Sequence, residues 1–219
     1  MSSTRITAST GAEASTADRP RPSAAAHVAV GAIAGLAWAA AFRGFMAGLA
    51  GGASAFDWYG TYVAILLPGV IAGVGLGWAE YLRRTGGRPH WRWLALSVLA
   101  FTVAPLTMPG AFEALFTQGL GGGAIAVPLA ALAGGYALAR NGPLWARIGC
   151  GILAALVLAA LAALPFGDAT SRLAHDLPRG VWVATLAASC FAVLCIACMI
   201  PFRRVDRVRI PPRGDRASG

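Results

Sequence analysis

The sequence has no lysine, only nine acidic residues in 219, and just 12% charged residues, about half the share of an ordinary soluble domain. Water is therefore not its main solvent. Histidine and cysteine are also scarce, at three and four. Cys195 and Cys198 form a C-x-x-C, but it lies in an apolar run with Cys190 and Cys150 as the other thiols, and no further ligands stand near enough to complete a zinc site. A redox pair would need the exposed start of a helix, so the cysteines read as small packing residues. H-E-x-x-H, G-x-S-x-G and the Walker A loop do not occur, which removes the best-marked hydrolase and nucleotide-binding chemistries. No catalytic residue, metal or cofactor is expected, and an enzyme is not the favoured class.

What is present is apolar. Hydrophobic residues make up 57% of the chain, and the mean hydropathy is +0.64. A helix needs roughly 20 apolar residues to cross about 30 Å of hydrocarbon. Runs of that length fall at about 27–49, 60–81, 93–112, 119–139, 146–166 and 181–201. The expected fold is an all-α integral membrane protein, a bundle of six transmembrane helices over 26–202. Residues 1–25 are too poor in large apolar groups to order themselves and read as a disordered cytoplasmic tail, with no cleaved signal peptide. Residues 203–219 form a basic cytoplasmic tail. Abundant alanine and glycine without lysine suggest a GC-rich bacterial genome, and so a plasma (inner) membrane.

The net charge of +9 rests entirely on 18 arginines. Fifteen fall in the two tails and in the connections after the second and fourth runs, two in the opposite connections, and Arg43 inside a run. The positive-inside rule then places both termini in the cytoplasm. Trp58, Tyr59 and Trp182 mark outer boundaries, and Trp78, Tyr81, Trp91, Trp93, Tyr136 and Trp145 inner ones, as headgroup-level aromatics should. In such a chain basic charge points to anionic lipid headgroups, with Arg203, Arg204, Arg207 and Arg209 as the juxtamembrane set, and not to nucleic acid.

Gly69, Gly73 and Gly77 repeat at four-residue spacing in the second run, and Gly31 and Gly35 do so in the first. Small residues so spaced let helix backbones approach closely. The surface they form serves either internal packing or a homodimer. Pro68 and Pro128 lie within the second and fourth runs, where a proline frees a carbonyl one turn earlier and transporters build binding sites. Pro105 with Pro109 is expected to stop the third helix near Pro109. Ala111 to Gln118 would then form a short outer interfacial turn.

Arg43 carries the strongest single signal, because a charge at the centre of a span costs about 2.5–3.5 kcal/mol on insertion scales. Two readings stand. Arg43 lies close enough to the outer edge to snorkel, or it faces the bundle and meets Asp57 or Glu113 or an anionic solute. Glu80, at the cytoplasmic end of the second helix, is too distant to pair with it. The loop GDATSRLAHDLPRG gathers Asp168, Arg172, His175, Asp176 and Arg179 and reads as a charge-balanced solvated loop. Three classes of function remain: a small transporter or channel-like protein for an anionic or lipid-like solute, a nonenzymatic scaffold or subunit of an envelope complex, and a membrane-embedded lipid-modifying enzyme. Membrane lipids are the expected partners, together with a second copy of the chain or another membrane protein.

Overall fold

Helix α1 (Ala24–Ala50) starts where Ser23 turns extended and its hydroxyl accepts from the Ala26 N–H at 3.4 Å, a side-chain cap for a donor the helix leaves unmet. It ends at Gly51, whose φ of 59° suits glycine. The structure, a computed structural model, describes residues 23–51, 54, 56–107, 120–167 and 178–205. The tail 1–22, the expected interfacial turn at 111–118 and residues 206–219 lie outside the described residues.

Helix α2 (Tyr59–Arg84) opens on Asp57, whose carboxylate accepts from the Gly60 N–H at 2.6 Å. Its first stretch, Tyr59–Leu66, is a π-helix, and the Leu67 N–H bonds to the Tyr62 carbonyl. Pro68 has no N–H to give to Ala64. The wider winding just before Pro68 accommodates that missing donor, so α2 continues unbroken as an α-helix over Leu67–Arg84. Thr85 closes it, its hydroxyl donating to the Tyr81 carbonyl at 2.9 Å.

Helix α3 is a 3-10 helix over Trp91–Leu99 and an α-helix over Ala100–Leu106. Pro105 thus lies one residue before the end of the helix. Helix α4 (Leu120–Leu138) holds Pro128 without a break. Helix α5 (Leu144–Phe166) and helix α6 (Pro178–Phe202) each finish in a 3-10 turn, at Pro165 and Pro201. All six elements are helical, and no strand occurs among the described residues. Helices α1, α2, α5 and α6, with 27, 26, 23 and 25 residues, are long and apolar enough to cross a membrane; Trp91–Ala104 and Ile125–Leu138 are shorter apolar helices.

Contacts between neighbours fix the directions. Residues Gly31 and Gly35 face Gly73 and Gly69, so α1 and α2 are antiparallel. Tyr59 meets Thr107 at one end of α2, and Gly75 meets Ser97 further along, so α3 runs back again. Helices α4 and α6 are parallel, with Gly134 against Cys195 and Tyr136 against Phe202. Trp38 meets Cys190 and Gly48 meets Val183, which sets α6 antiparallel to α1. His27, Tyr81, Gly87, Asn141, Phe202 and Val205 consequently gather at one end of the bundle.

The main core joins Ala72 and Leu76 of α2, Val98 of α3, Ala130 and Ala131 of α4, and Phe191, Leu194, Cys195 and Cys198 of α6. Helix α6 is central, and its three cysteines are free and buried. Helices α1 and α5 are peripheral. Their outward faces expose Val30 and Ile33, and Ile152 and Leu156, the pattern of helices that meet lipid on one side.

Candidate functional site

The seam between α1 and α2 is made by backbone. A methyl group added at Gly31 would fall on the Gly73 carbonyl oxygen, and one at Gly73 on the Gly31 oxygen; Gly35 and Gly69 oppose each other in the same way. The structure places Gly69, Gly73 and Gly77 against α1 of the same chain, with Gly77 reaching the His27 carbonyl. Close approach lets dispersion hold the pair where no hydrophobic drive exists.

Beside this seam lies a groove of about 460 Å³, within the range of about 300–1,000 Å³ usual for ligand sites. Its floor is α2, with Gly69, Ala72, Gly73, Leu76 and Gly77 in the lining, and its walls are α1 on one side and Val193, Leu194, Ala197 and Ile200 of α6 on the other. Trp38 and Phe101 close one end. Trp38 is fixed by a 2.7 Å hydrogen bond from its indole Nε1 to the Cys190 carbonyl, by stacking on Phe42 and by an edge contact with Phe101.

The other end is charged, with His27, Glu80 and Arg84 at the lining. Glu80 accepts from Arg83 through both oxygens, at 2.7 and 2.9 Å, and from Arg84 Nε at 2.6 Å. Arg83 is 7% exposed, whereas the Arg84 side chain is 52% exposed. His27 Nδ1 sits 2.9 Å from the Ser23 carbonyl, which can only accept, so that nitrogen carries the proton. Around this end the described residues supply Arg83, Arg84, Arg88, Arg92, Arg140, Arg147, Arg203 and Arg204 against the single acid Glu80.

Arg43 lies near the opposite end of α1, half-buried. Its Nη1 donates to Ser54 Oγ at 3.2 Å, its Nε lies 3.5 Å from Thr61 Oγ1, and its guanidinium stands 4.2 Å from the centre of the Phe56 ring. These contacts tie α1 to the turn that follows it and to the π-wound start of α2. Asp57 is used at that same start. Arg179 Nη2 donates to the Gly48 carbonyl at 3.3 Å. Glu113, Arg207, Arg209, Asp168, Arg172, His175 and Asp176 lie outside the described residues, while Arg203 and Arg204 are exposed.

No protein-family model, curated protein or solved structure matches this chain. Function must therefore be argued from the site itself. Sequence reasoning passed over Glu80 as too far from Arg43, yet E-Y-L-R-R places arginines three and four residues on, the spacing that brings side chains together on a helix. The groove as a whole gave no sequence signal, because its second wall comes from α6, more than 100 residues from the floor in sequence.

Proposed function

We propose that the protein is a six-span bacterial plasma-membrane protein with both termini in the cytoplasm, and that it carries an anionic, lipid-like solute. The observation behind this reading is the lateral groove, apolar for most of its length and charged at one end. Such a shape suits an amphiphile better than a small soluble ion. Arg43, held by Ser54, Thr61 and Phe56, is read as an anchor of the outer end and not as the solute site. The two shorter helices fit the six-span reading. A 3-10 helix rises about 2.0 Å per residue, so Trp91–Leu99 followed by Ala100–Leu106 extends for about 28 Å. The 19 residues of α4 reach about the same length, close to the hydrocarbon thickness of about 30 Å. The arginine-rich end of the bundle is then the cytoplasmic one.

Topology is tested by single cysteines at Ala55 and Thr85, labelled from outside intact cells with a membrane-impermeant maleimide. Position 55 is expected to react and position 85 only after permeabilisation; the reverse pattern overturns the orientation. Transport is tested in proteoliposomes loaded with a fluorescent fatty acid. Its transbilayer movement is expected to exceed that of protein-free vesicles by about tenfold or more, equivalent to about 1.4 kcal/mol off the barrier. Equal rates reject transport and return the protein to the scaffold class.

A further inference from the structure

The groove has a length, a capacity and a polarity, and together these narrow its occupant. From His27 at the charged end to Trp38 at the closed end is eleven residues of α1, or about 16 Å. That is about half of a 30 Å hydrocarbon core, the depth of one leaflet. A volume of about 460 Å³ lies in the lower half of the range of about 300–1,000 Å³ usual for ligand sites, which suits one acyl chain better than two. Resting on the groove reading above, we propose that the solute is a single-chain amphiphile with an anionic head, bound head towards Arg84 and chain end against Trp38.

The head assignment follows from the charge at that end. Glu80 is occupied by Arg83 and Arg84, and the cluster of the three carries one net positive charge. Arg84 gives Glu80 only its Nε among the described contacts, and its side chain is half-exposed. Its outer guanidinium nitrogens can therefore meet a carboxylate or phosphate oxygen in the geometry arginine favours. A neutral head would lack the charge attraction this end offers. The chain assignment follows from the lining: between the charged end and Trp38 the groove presents apolar residues of α1, α2 and α6, and the ring of Trp38, pinned to Cys190, ends it.

The test uses the full-length protein in phosphatidylcholine nanodiscs, probed with myristate and with the neutral ester monomyristin, and read by native mass spectrometry. One myristate per chain is expected, with monomyristin retained at least about tenfold more weakly, the effect of losing one charge-assisted hydrogen bond. Arg84→Gln, at a half-exposed position where folding is little affected, is expected to lower myristate retention by a similar factor. Myristate carrying a spin label near its methyl end is expected to quench tryptophan emission, and Trp38→Phe to remove most of that quenching per myristate bound. Equal retention of myristate and monomyristin, or an Arg84→Gln variant that binds as the parent does, overturns the assignment of an anionic head. A tightly held two-chain phospholipid that myristate cannot displace overturns the single chain. Myristate retention without faster flux leaves this inference standing and rejects transport, whereas faster flux without head selectivity does the reverse.

Discussion

Replacing Gly73 with alanine is expected to cost about 3 kcal/mol or more of bundle stability, while the same replacement at Gly149 costs nothing. At Gly73 the new methyl group meets backbone: it falls on the Gly31 carbonyl oxygen and lies 3.0 Å from the Gly35 Cα. Neither can rotate away as a side chain would. The helices must separate, and a gap of 0.5–1 Å already forfeits about a quarter to a half of each contact's dispersion energy along the seam. Overpacking typically costs about 1–3 kcal/mol, and more where the neighbour cannot move. At Gly149, and equally at Gly44, a methyl would meet nothing within 4 Å, and alanine should instead gain about 0.5–1 kcal/mol from reduced chain entropy. Unfolding titrations in mixed micelles compare the variants. If Gly73→Ala and Gly149→Ala proved equally stable, the close approach of α1 and α2 would be wrong.

The second large effect is expected at Glu80. Removing one partner of a buried ion pair typically costs about 3–5 kcal/mol. Glu80→Ala strips the buried Arg83 of a bidentate carboxylate, and a loss of about 3 kcal/mol is expected because the pair lies at the edge of the bundle. The contact with the half-exposed Arg84 should add less than about 1 kcal/mol. The decisive variant is the double replacement Glu80→Met with Arg83→Met, which removes the charge along with its partner and should recover most of the loss. A double-mutant cycle measures the coupling directly. A double variant no more stable than Glu80→Ala would show that the damage lies elsewhere than in the broken Glu80–Arg83 pair.

Much of the helix arrangement could be read from the sequence because one physical constraint dominates it. The apolar runs at 60–81, 146–166 and 181–201 fall within three residues of the ends of Tyr59–Arg84, Leu144–Phe166 and Pro178–Phe202, since hydrocarbon thickness fixes how many apolar residues a helix carries. The third helix was harder. Hydropathy cannot distinguish a 3-10 from an α winding, so Trp91–Leu99 gave no warning; the described helix ends at Leu106, three residues before Pro109. Prolines were visible as residues but not in their effect: Pro68 is absorbed by a π-wound stretch and Pro128 by a continuous helix. Glycine spacing identified the seam residues, while the identity of the opposing helix required the fold. For Arg43 the sequence offered acids as partners, and the structure adds the hydroxyls of Ser54 and Thr61, which come within reach only once the turn after α1 is formed.

The order in which the helices pack also has a consequence for biogenesis. The tightest seam joins α1 and α2, neighbours in sequence, so this hairpin can close as soon as about 90 residues have emerged, in keeping with the N-terminal-first assembly of growing chains. Helix α6, which supplies Val183, Ala187, Cys190, Phe191, Leu194, Cys195 and Cys198 to the interior, is made after the other five. Until it arrives, the faces of α1, α2 and α4 that it covers remain open to lipid or to membrane chaperones. A ribosome that stalls after α5 therefore leaves an inserted intermediate lacking its central helix, a natural substrate for membrane quality-control proteases.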